Sequence, residues 1–137
     1  MATTTATLTL TSDVMPGAAL SLSKTMTMHK LGVSTGLEEA TGLSAKSFSA
    51  TSAVAIIEED EYTKASKIYM RNTGSSATTF FYVAKHASAA AADTTETIGR
   101  LYGGDWMLIP YDGATNITVA PSTTETMTLE YMVFVEN

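Results

Sequence analysis

The chain has 137 residues, no cysteine and a formal net charge of −6. This length suits one domain with a substantial hydrophobic core, and the lack of cysteine excludes disulfides and thiolate metal sites. Because nucleic-acid binding depends on clustered cations, the acidic balance disfavours DNA or RNA as a partner.

We expect no export or membrane signal at the start of this sequence. Residues 1–13 lack the cationic start and the apolar stretch of a secretory signal. No apolar run approaches the roughly 18 residues needed to cross a bilayer. We therefore expect a soluble protein without a membrane partner, with a flexible arm over residues 1–6 and a single domain over residues 7–137.

The first predicted elements alternate apolar and hydroxyl side chains. Successive side chains of a strand point to opposite faces, and Thr favours the extended backbone. Alternating Leu and Thr predict a strand near residues 5–11. Leu20–Met28 alternates Leu or Met with Ser or Thr, and only Lys24 interrupts its apolar face. Both segments are predicted to be strands with one apolar face.

Short strands are predicted through the middle of the chain, separated by turn-forming residues. They lie at residues 53–58, 67–72, 78–85, 105–110 and 116–120. Asn72-Thr73-Gly74 and Asp112-Gly113 supply residues that tolerate tight-turn backbone. Residues 36–46 and 87–97 are the two candidate helices, and neither is convincing. The alanines of 87–97 lack an apolar stripe and would form only a marginal helix, so we interpret this segment as a long loop.

The last predicted strand, Met127–Val135, is apolar on both faces over its second half. Met132 and Phe134 lie on the face opposite Leu129 and Val133. Because an exposed Met132 and Phe134 would form an apolar patch, this strand is expected between two layers or at a subunit contact. Met132 and Phe134 are therefore our candidate subunit-interface residues.

Together these segments predict an all-β fold. Short strands with frequent turns suit an antiparallel two-layer sandwich, jelly-roll-like, with about eight short strands and little helix. The sequence has no internal repeat and no composition shift that would mark a linker, so a single domain is expected.

The titratable residues form no recognisable catalytic or metal-binding pattern. Residues 58–61 are four adjacent acids, whereas a calcium loop alternates its ligands and uses a glycine, so we interpret them as a solvated loop. His29 and His86 each end a predicted strand beside a lysine, without a neighbouring carboxylate. We expect no catalytic residue, no metal site and no cofactor.

An aromatic segment, GRLYGGDW at residues 99–106, is followed by Tyr111. Such aromatic side chains stack on sugar rings, anchor a protein contact or fill the core. A single Trp in an apolar strand is typically a core anchor, so Trp106 is assigned to the core. Tyr102 and Tyr111 are the candidate surface contacts.

Asn116-Ile117-Thr118 matches a glycosylation sequon. The segment also lies in a predicted strand, and we expect no secretory signal before it. We therefore interpret its Asn and Thr as residues of a strand edge.

Three stretches in the C-terminal half resemble small virion proteins of tailed bacteriophages. They are IYMRNTGSSATTFFYVA, ETIGRLYGGDWMLIPYDGATNITVAPS and TMTLEYMVFVEN, within residues 67–137. In that pattern a strand ends in Asn-Thr-Gly, a Gly-Gly-Asp turn leads to a strand closing at Pro, and a Leu-Glu-Tyr strand ends the chain. The resemblance implies a β-sandwich module without enzymatic activity, of the capsid decoration, head-fibre or tail-accessory type.

The leading expectation is therefore a non-enzymatic bacteriophage capsid decoration, or cement, protein. Its expected partners are copies of itself, with a trimer favoured, and the major capsid protein or another virion protein. The acidic charge favours the outer surface of the virion, away from packaged DNA, after synthesis in the host cytoplasm. The alternative is a receptor- or glycan-binding module of a tail or fibre. A hydrolase is disfavoured because no acid and base pair has a useful spacing.

Overall fold

The computed structural model describes residues 4–14, 20–30, 36–37, 39–62, 65–86 and 97–136. All regular elements in these residues are strands, which confirms the predicted all-β class. They are β1 (Thr4–Ser12), β2 (Leu20–Met28), β3 (Glu39–Ala40), β4 (Ser44–Phe48), β5 (Val54–Ile57), β6 (Ser66–Asn72), β7 (Phe80–His86), β8 (Thr97–Tyr102), β9 (Trp106–Tyr111), β10 (Asn116–Pro121) and β11 (Met127–Val135). The described part of the chain contains no helix that could span a bilayer.

Strands β4 to β11 form a jelly roll of two antiparallel sheets. Sheet I has the order β4-β11-β6-β9, with the short β3 also paired to β11, and sheet II has the order β5-β10-β7-β8. Along the chain the strands alternate between the two sheets, except that β7 and β8 are neighbours in sheet II. This connectivity is that of an eight-stranded jelly roll, as predicted.

The core lies between the two sheets, and strand alternation selects its members. In β6 the buried residues are every second one, beginning with Ser66. Ile68 of sheet I and Val83 and Val119 of sheet II are each 0% exposed. Phe48 and Phe81 meet edge to face across the core, with ring centroids 5.3 Å apart. Burial of these apolar side chains supplies the main driving force for folding.

A buried asparagine joins the two sheets at one corner. Asn72, the last residue of β6, donates its side-chain amide to the Leu101 carbonyl of β8 at 3.0 Å and accepts from the Gly74 N–H at 3.0 Å. Gly103, in the turn from β8 to β9, donates its N–H to the Ser76 carbonyl at 2.9 Å. The Asn-Thr-Gly and Gly-Gly-Asp stretches of the sequence thus pack against each other here.

The first two strands stand apart from the jelly roll. β1 and β2 pair only with each other in the described structure, from Thr4 opposite Met28 to Ser12 opposite Leu20. We call this unit the N-terminal hairpin. Residues 4–6, which we expected in a flexible arm, are paired residues of β1, because backbone hydrogen bonding to residues 26–28 holds them.

Three strands were not predicted from the sequence: β4, β8 and the two-residue β3. β4 (SAKSF) buries only Phe48 fully, and β8 (TIGRLY) buries only Leu101 fully, so neither has a clear apolar face. Their pairing with β11 and β7 makes them strands. The rest of the predicted long loop, residues 87–96, lies outside the described residues.

Candidate assembly surface

The N-terminal hairpin separates its side chains into one apolar and one hydroxyl face. The pairing of β1 with β2 places Leu10 opposite Leu22, Ala6 opposite Met26 and Thr7 opposite Thr25. The hydroxyl face has the Thr7 and Thr25 Oγ1 atoms 2.8 Å apart, in a cross-strand hydrogen bond. Such a face is suited to water, whereas the opposite face is suited to an apolar neighbour.

Most of the apolar face of the hairpin is uncovered. Leu8 is 40% exposed, Leu10 44%, Leu20 44% and Met26 39%, whereas Met28 at the base is only 2% exposed. A two-stranded hairpin is at best marginally stable in water without a covered apolar face. The part of the hairpin beyond Met28 therefore keeps an uncovered apolar face.

The outer side of sheet I is the apolar surface nearest the hairpin. Across β11, β6 and β9, the register aligns Met132, Tyr69 and Leu108 in one row. Trp106 and Phe134 lie in the rows on either side. Together these five side chains form what we call the outer patch of sheet I.

An open cleft of about 820 Å³ separates the hairpin from the outer patch. Its walls include Leu8, Leu10 and Met26 of the hairpin, and Trp106 and Phe134 of the outer patch. We call this space the hairpin cleft. Both of its walls are largely apolar, which is typical of a contact surface.

Trp106 lies on this surface and not in the core. Its side chain is 50% exposed, so the assignment of Trp106 to the core is wrong. Strand alternation in β9 directs Met107 and Ile109 against the core and turns Trp106 to the outer side. The sequence does not reveal this choice, because both faces of β9 carry large apolar residues.

Met132 and Phe134 lie on the outer side of sheet I, as their alternation with Val133 predicts. Both are half-buried, and Phe134 lines the hairpin cleft. Their role in a subunit interface stays a prediction. At the border of the outer patch, Arg71 and Glu130 form an ion pair with 3.9 Å between the charged atoms.

The two candidate tyrosines have different environments. Tyr111 is only 5% exposed, and its hydroxyl donates to the Thr115 carbonyl at 3.0 Å, so the prediction that Tyr111 is a surface contact is wrong. It has the inward parity in β9, opposite to that of Trp106. Burial raises the pKa of Tyr111 above its ordinary value of 10.0, and nearby carboxylates, of which Asp112 has the largest effect, raise this pKa further.

Tyr102 is half-buried on the outer side of sheet II.

Tyr102 belongs to an aromatic cluster, which also contains Phe80, Tyr82 and Arg100. The Phe80 ring centroid is 4.8 Å from that of Tyr82 and 5.0 Å from that of Tyr102. The Arg100 guanidinium lies 4.7 Å from the Phe80 centroid, a cation–π distance. Phe80 and Tyr82 were missed as site residues, although they alternate with Phe81 and Val83 in the sequence.

A groove of about 450 Å³ adjoins the aromatic cluster. Phe80, Tyr82, Ala120 and Pro121 contribute to its wall together with four hydroxyl side chains. These are Thr51, Thr78, Thr79 and Ser122. Aromatic rings beside hydroxyl groups are a combination that suits both sugars and protein contacts.

The charged and imidazole groups do not converge on a site in the described residues. His29 is exposed, with Nδ1 3.2 Å from the Thr27 carbonyl oxygen, and the side chain of His86 lies outside the described part. Acidic residues 58–61 are exposed, with Asp60 at φ 64° in a turn. Within the described ranges, no three His, Cys, Asp or Glu residues are grouped to hold a metal ion.

The glycosylation sequon is in the interior of sheet II. Asn116 is 5% exposed and Thr118 is 0% exposed in β10, which pairs with β5 on one side and β7 on the other. The prediction of a strand-edge position is therefore wrong. Asn116 Oδ1 accepts the Glu59 N–H at 2.6 Å and so fixes the loop that follows β5.

No protein-family model matches the chain, and no curated protein matches it.

Proposed function

We propose that this protein is a non-enzymatic structural subunit of a bacteriophage particle, a capsid decoration protein that acts by protein–protein assembly on the outside of the shell. The observation that carries the proposal is the grouping of exposed apolar side chains on one side of the molecule. Among the described residues, eight large apolar side chains are exposed, and five of them belong to the hairpin or the outer patch of sheet I. These five are Leu8, Leu10, Leu20, Met26 and Trp106.

A surface of this kind favours assembly. Soluble monomers seldom expose large contiguous apolar patches, and such patches mark sites of protein interaction. The hairpin presents its apolar residues on a regular strand pair, and its hydroxyl face remains suited to solvent. The proposed partners are further copies of this chain, in a trimer, and the major capsid protein or another virion protein.

The fold and the charge are compatible with a position on a capsid. Jelly rolls occur in viral capsid and lectin domains, although one fold serves many functions. A formal charge of −6 disfavours contact with packaged DNA and favours the exterior of the particle. The bacteriophage assignment itself rests on the resemblance of the C-terminal half.

The aromatic cluster supports a second candidate function, a receptor- or glycan-binding module of a tail or fibre. The Phe80 and Tyr82 rings line a groove with a rim of Thr and Ser hydroxyls. Aromatic rings stack on the apolar face of a sugar, and hydroxyls bond its polar edge. Glycan-array binding that is lost in Tyr82→Ala, with unchanged assembly, would favour this candidate.

Quantitative mass spectrometry of purified virions tests the leading proposal. The virus that encodes the chain is purified, and the copy number is measured before and after mild protease treatment of intact particles. Hundreds of copies that the protease reaches from outside are expected for a decoration protein. Absence from the virion would refute the proposal, and a handful of copies would instead indicate a tail or vertex protein.

A further inference from the structure

We propose that the N-terminal hairpin of one subunit docks on the outer patch of sheet I of a second copy of this chain. The proposal rests on the self-assembly proposed above and names the surfaces that meet. The hairpin contributes an apolar face with Leu8, Leu10 and Met26. The receiving subunit contributes Trp106 and Phe134.

The hairpin is incompletely anchored on its own subunit. Only Met28, at its base, is fully buried, whereas Leu10 and Leu20 near its tip are each 44% exposed. The two strands form a separate two-stranded sheet, without pairing to the described strands of the jelly roll. The hairpin therefore keeps an uncovered apolar surface along the open hairpin cleft of its own subunit.

The area of the hairpin face indicates how many contacts are needed. Each strand has nine residues. At about 3.4 Å per residue and a width of about 10 Å, the face covers about 300 Å². One hairpin on one patch then buries about 600 Å² in total, below the roughly 1,200 Å² of a stable specific interface. In a ring each subunit makes two such contacts, one with each neighbour, so each interface stays near about 600 Å² and depends on closure of the ring.

Every chain carries one hairpin face and one outer patch, and these two apolar surfaces differ from each other. A head-to-tail contact between unlike surfaces closes into a ring when its rotation permits. In such a ring each hairpin and each outer patch is covered. One kind of contact between identical chains thus covers both surfaces without a second protein.

Charge complementarity also favours this arrangement. Lys24 lies on the apolar face of the hairpin, opposite Leu8, and lines the hairpin cleft. The receiving side of sheet I carries Glu130 at the border of the outer patch. The 3.9 Å separation in its ion pair with Arg71 leaves this carboxylate able to accept a second cation. Docking brings the ammonium of one subunit towards the carboxylate of the next.

Engineered cysteines test the contact without background, because the chain has no cysteine. Leu10→Cys and Phe134→Cys are made as separate variants, one of them isotopically labelled, and are refolded together from urea before mild oxidation. Mass spectrometry then identifies the linked peptides. Trp106→Cys is a second acceptor, and its half-exposed side chain makes it a conservative site for folding.

The matched control is Thr9→Cys, which lies beside Leu10 on the hydroxyl face. We expect at least tenfold more cross-link between subunits from Leu10→Cys than from Thr9→Cys with the same acceptor. Equal yields, or a disulfide found only within one chain of the Leu10→Cys/Phe134→Cys double variant, would overturn the inference. Cross-linking by a protein that is absent from virions would leave this inference standing and refute the proposed function.

Discussion

Replacing Gly103 by alanine probes the corner where the two sheets meet. A Cβ atom at this position would lie 2.4 Å from the backbone N of Ser76, 2.6 Å from the carbonyl carbon of Ser75 and 2.7 Å from the carbonyl oxygen of Ser76. All three are backbone atoms and cannot rotate away as a side chain does. The turn from β8 to β9 must therefore move off the loop that follows β6.

The movement has a predictable free-energy cost. Overpacking of a tight site costs about 1–3 kcal/mol. The displacement also weakens the hydrogen bond from the Gly103 N–H to the Ser76 carbonyl, 2.9 Å long. We therefore expect a loss of about 3 kcal/mol in the free energy of unfolding, at the upper end of that range. At about 4 °C per kcal/mol for a domain of this size, Tm falls by about 12 °C.

The assay is thermal and urea unfolding followed by far-ultraviolet circular dichroism. All variants are measured at equal protein concentration, because self-association shifts apparent stability. Gly42→Ala is the matched control, since a Cβ at this exposed position has no neighbour within 4 Å. Gly42→Ala is expected to change the free energy of unfolding by no more than about 0.5 kcal/mol. If Gly103→Ala is as stable as Gly42→Ala, the close packing of this corner is refuted.

Three further predictions concern the buried polar groups and the outer patch. Asn72→Ala is expected to lower the free energy of unfolding by about 2 kcal/mol, because the buried Leu101 carbonyl loses its side-chain donor. An unchanged midpoint of urea unfolding would contradict this role of Asn72. Because burial raises the pKa of Tyr111, its contribution to stability is complete below pH 10.0 and is lost as the pH rises through its raised folded-state pKa. Tyr111→Phe should reduce the loss in the free energy of unfolding at alkaline pH. The same loss in the wild type and the variant would contradict the role of Tyr111. Phe134→Ser is expected to raise the dissociation constant of self-association at least tenfold in analytical ultracentrifugation. Thr128→Ser, on the same side of β11 but farther along the strand, is the control. Equal effects of the two substitutions would discredit the outer patch as an interface.

The alternation of side chains determined most of the strands. Leu20–Met28 and Met127–Val135 were predicted with the bounds that the structure has. Each has nine residues, long enough for a period of two to be unmistakable. Frequent turn residues then favoured an antiparallel sandwich, and the eight-stranded connectivity confirms the jelly roll.

Two of the shorter strands, β4 and β8, could not be predicted from their local sequences alone. β4 and β8 each have a single fully buried apolar residue, Phe48 and Leu101. Their local sequences do not distinguish a strand from a loop, because sheet propensity depends strongly on packing against neighbouring strands. Pairing with the long β11 and with β7 supplies the hydrogen bonds that define them.

The sequence by itself determined that β9 is a strand, but only the tertiary structure decided which of its faces is buried. Trp106 and Tyr111 lie five positions apart in this strand and therefore point to opposite sides. Both sides are apolar, so periodicity cannot assign either one to the core. Sheet II covers the side of Tyr111, whereas the open hairpin cleft leaves Trp106 half exposed. Burial follows from which layer packs on a face, and that depends on strands distant in sequence.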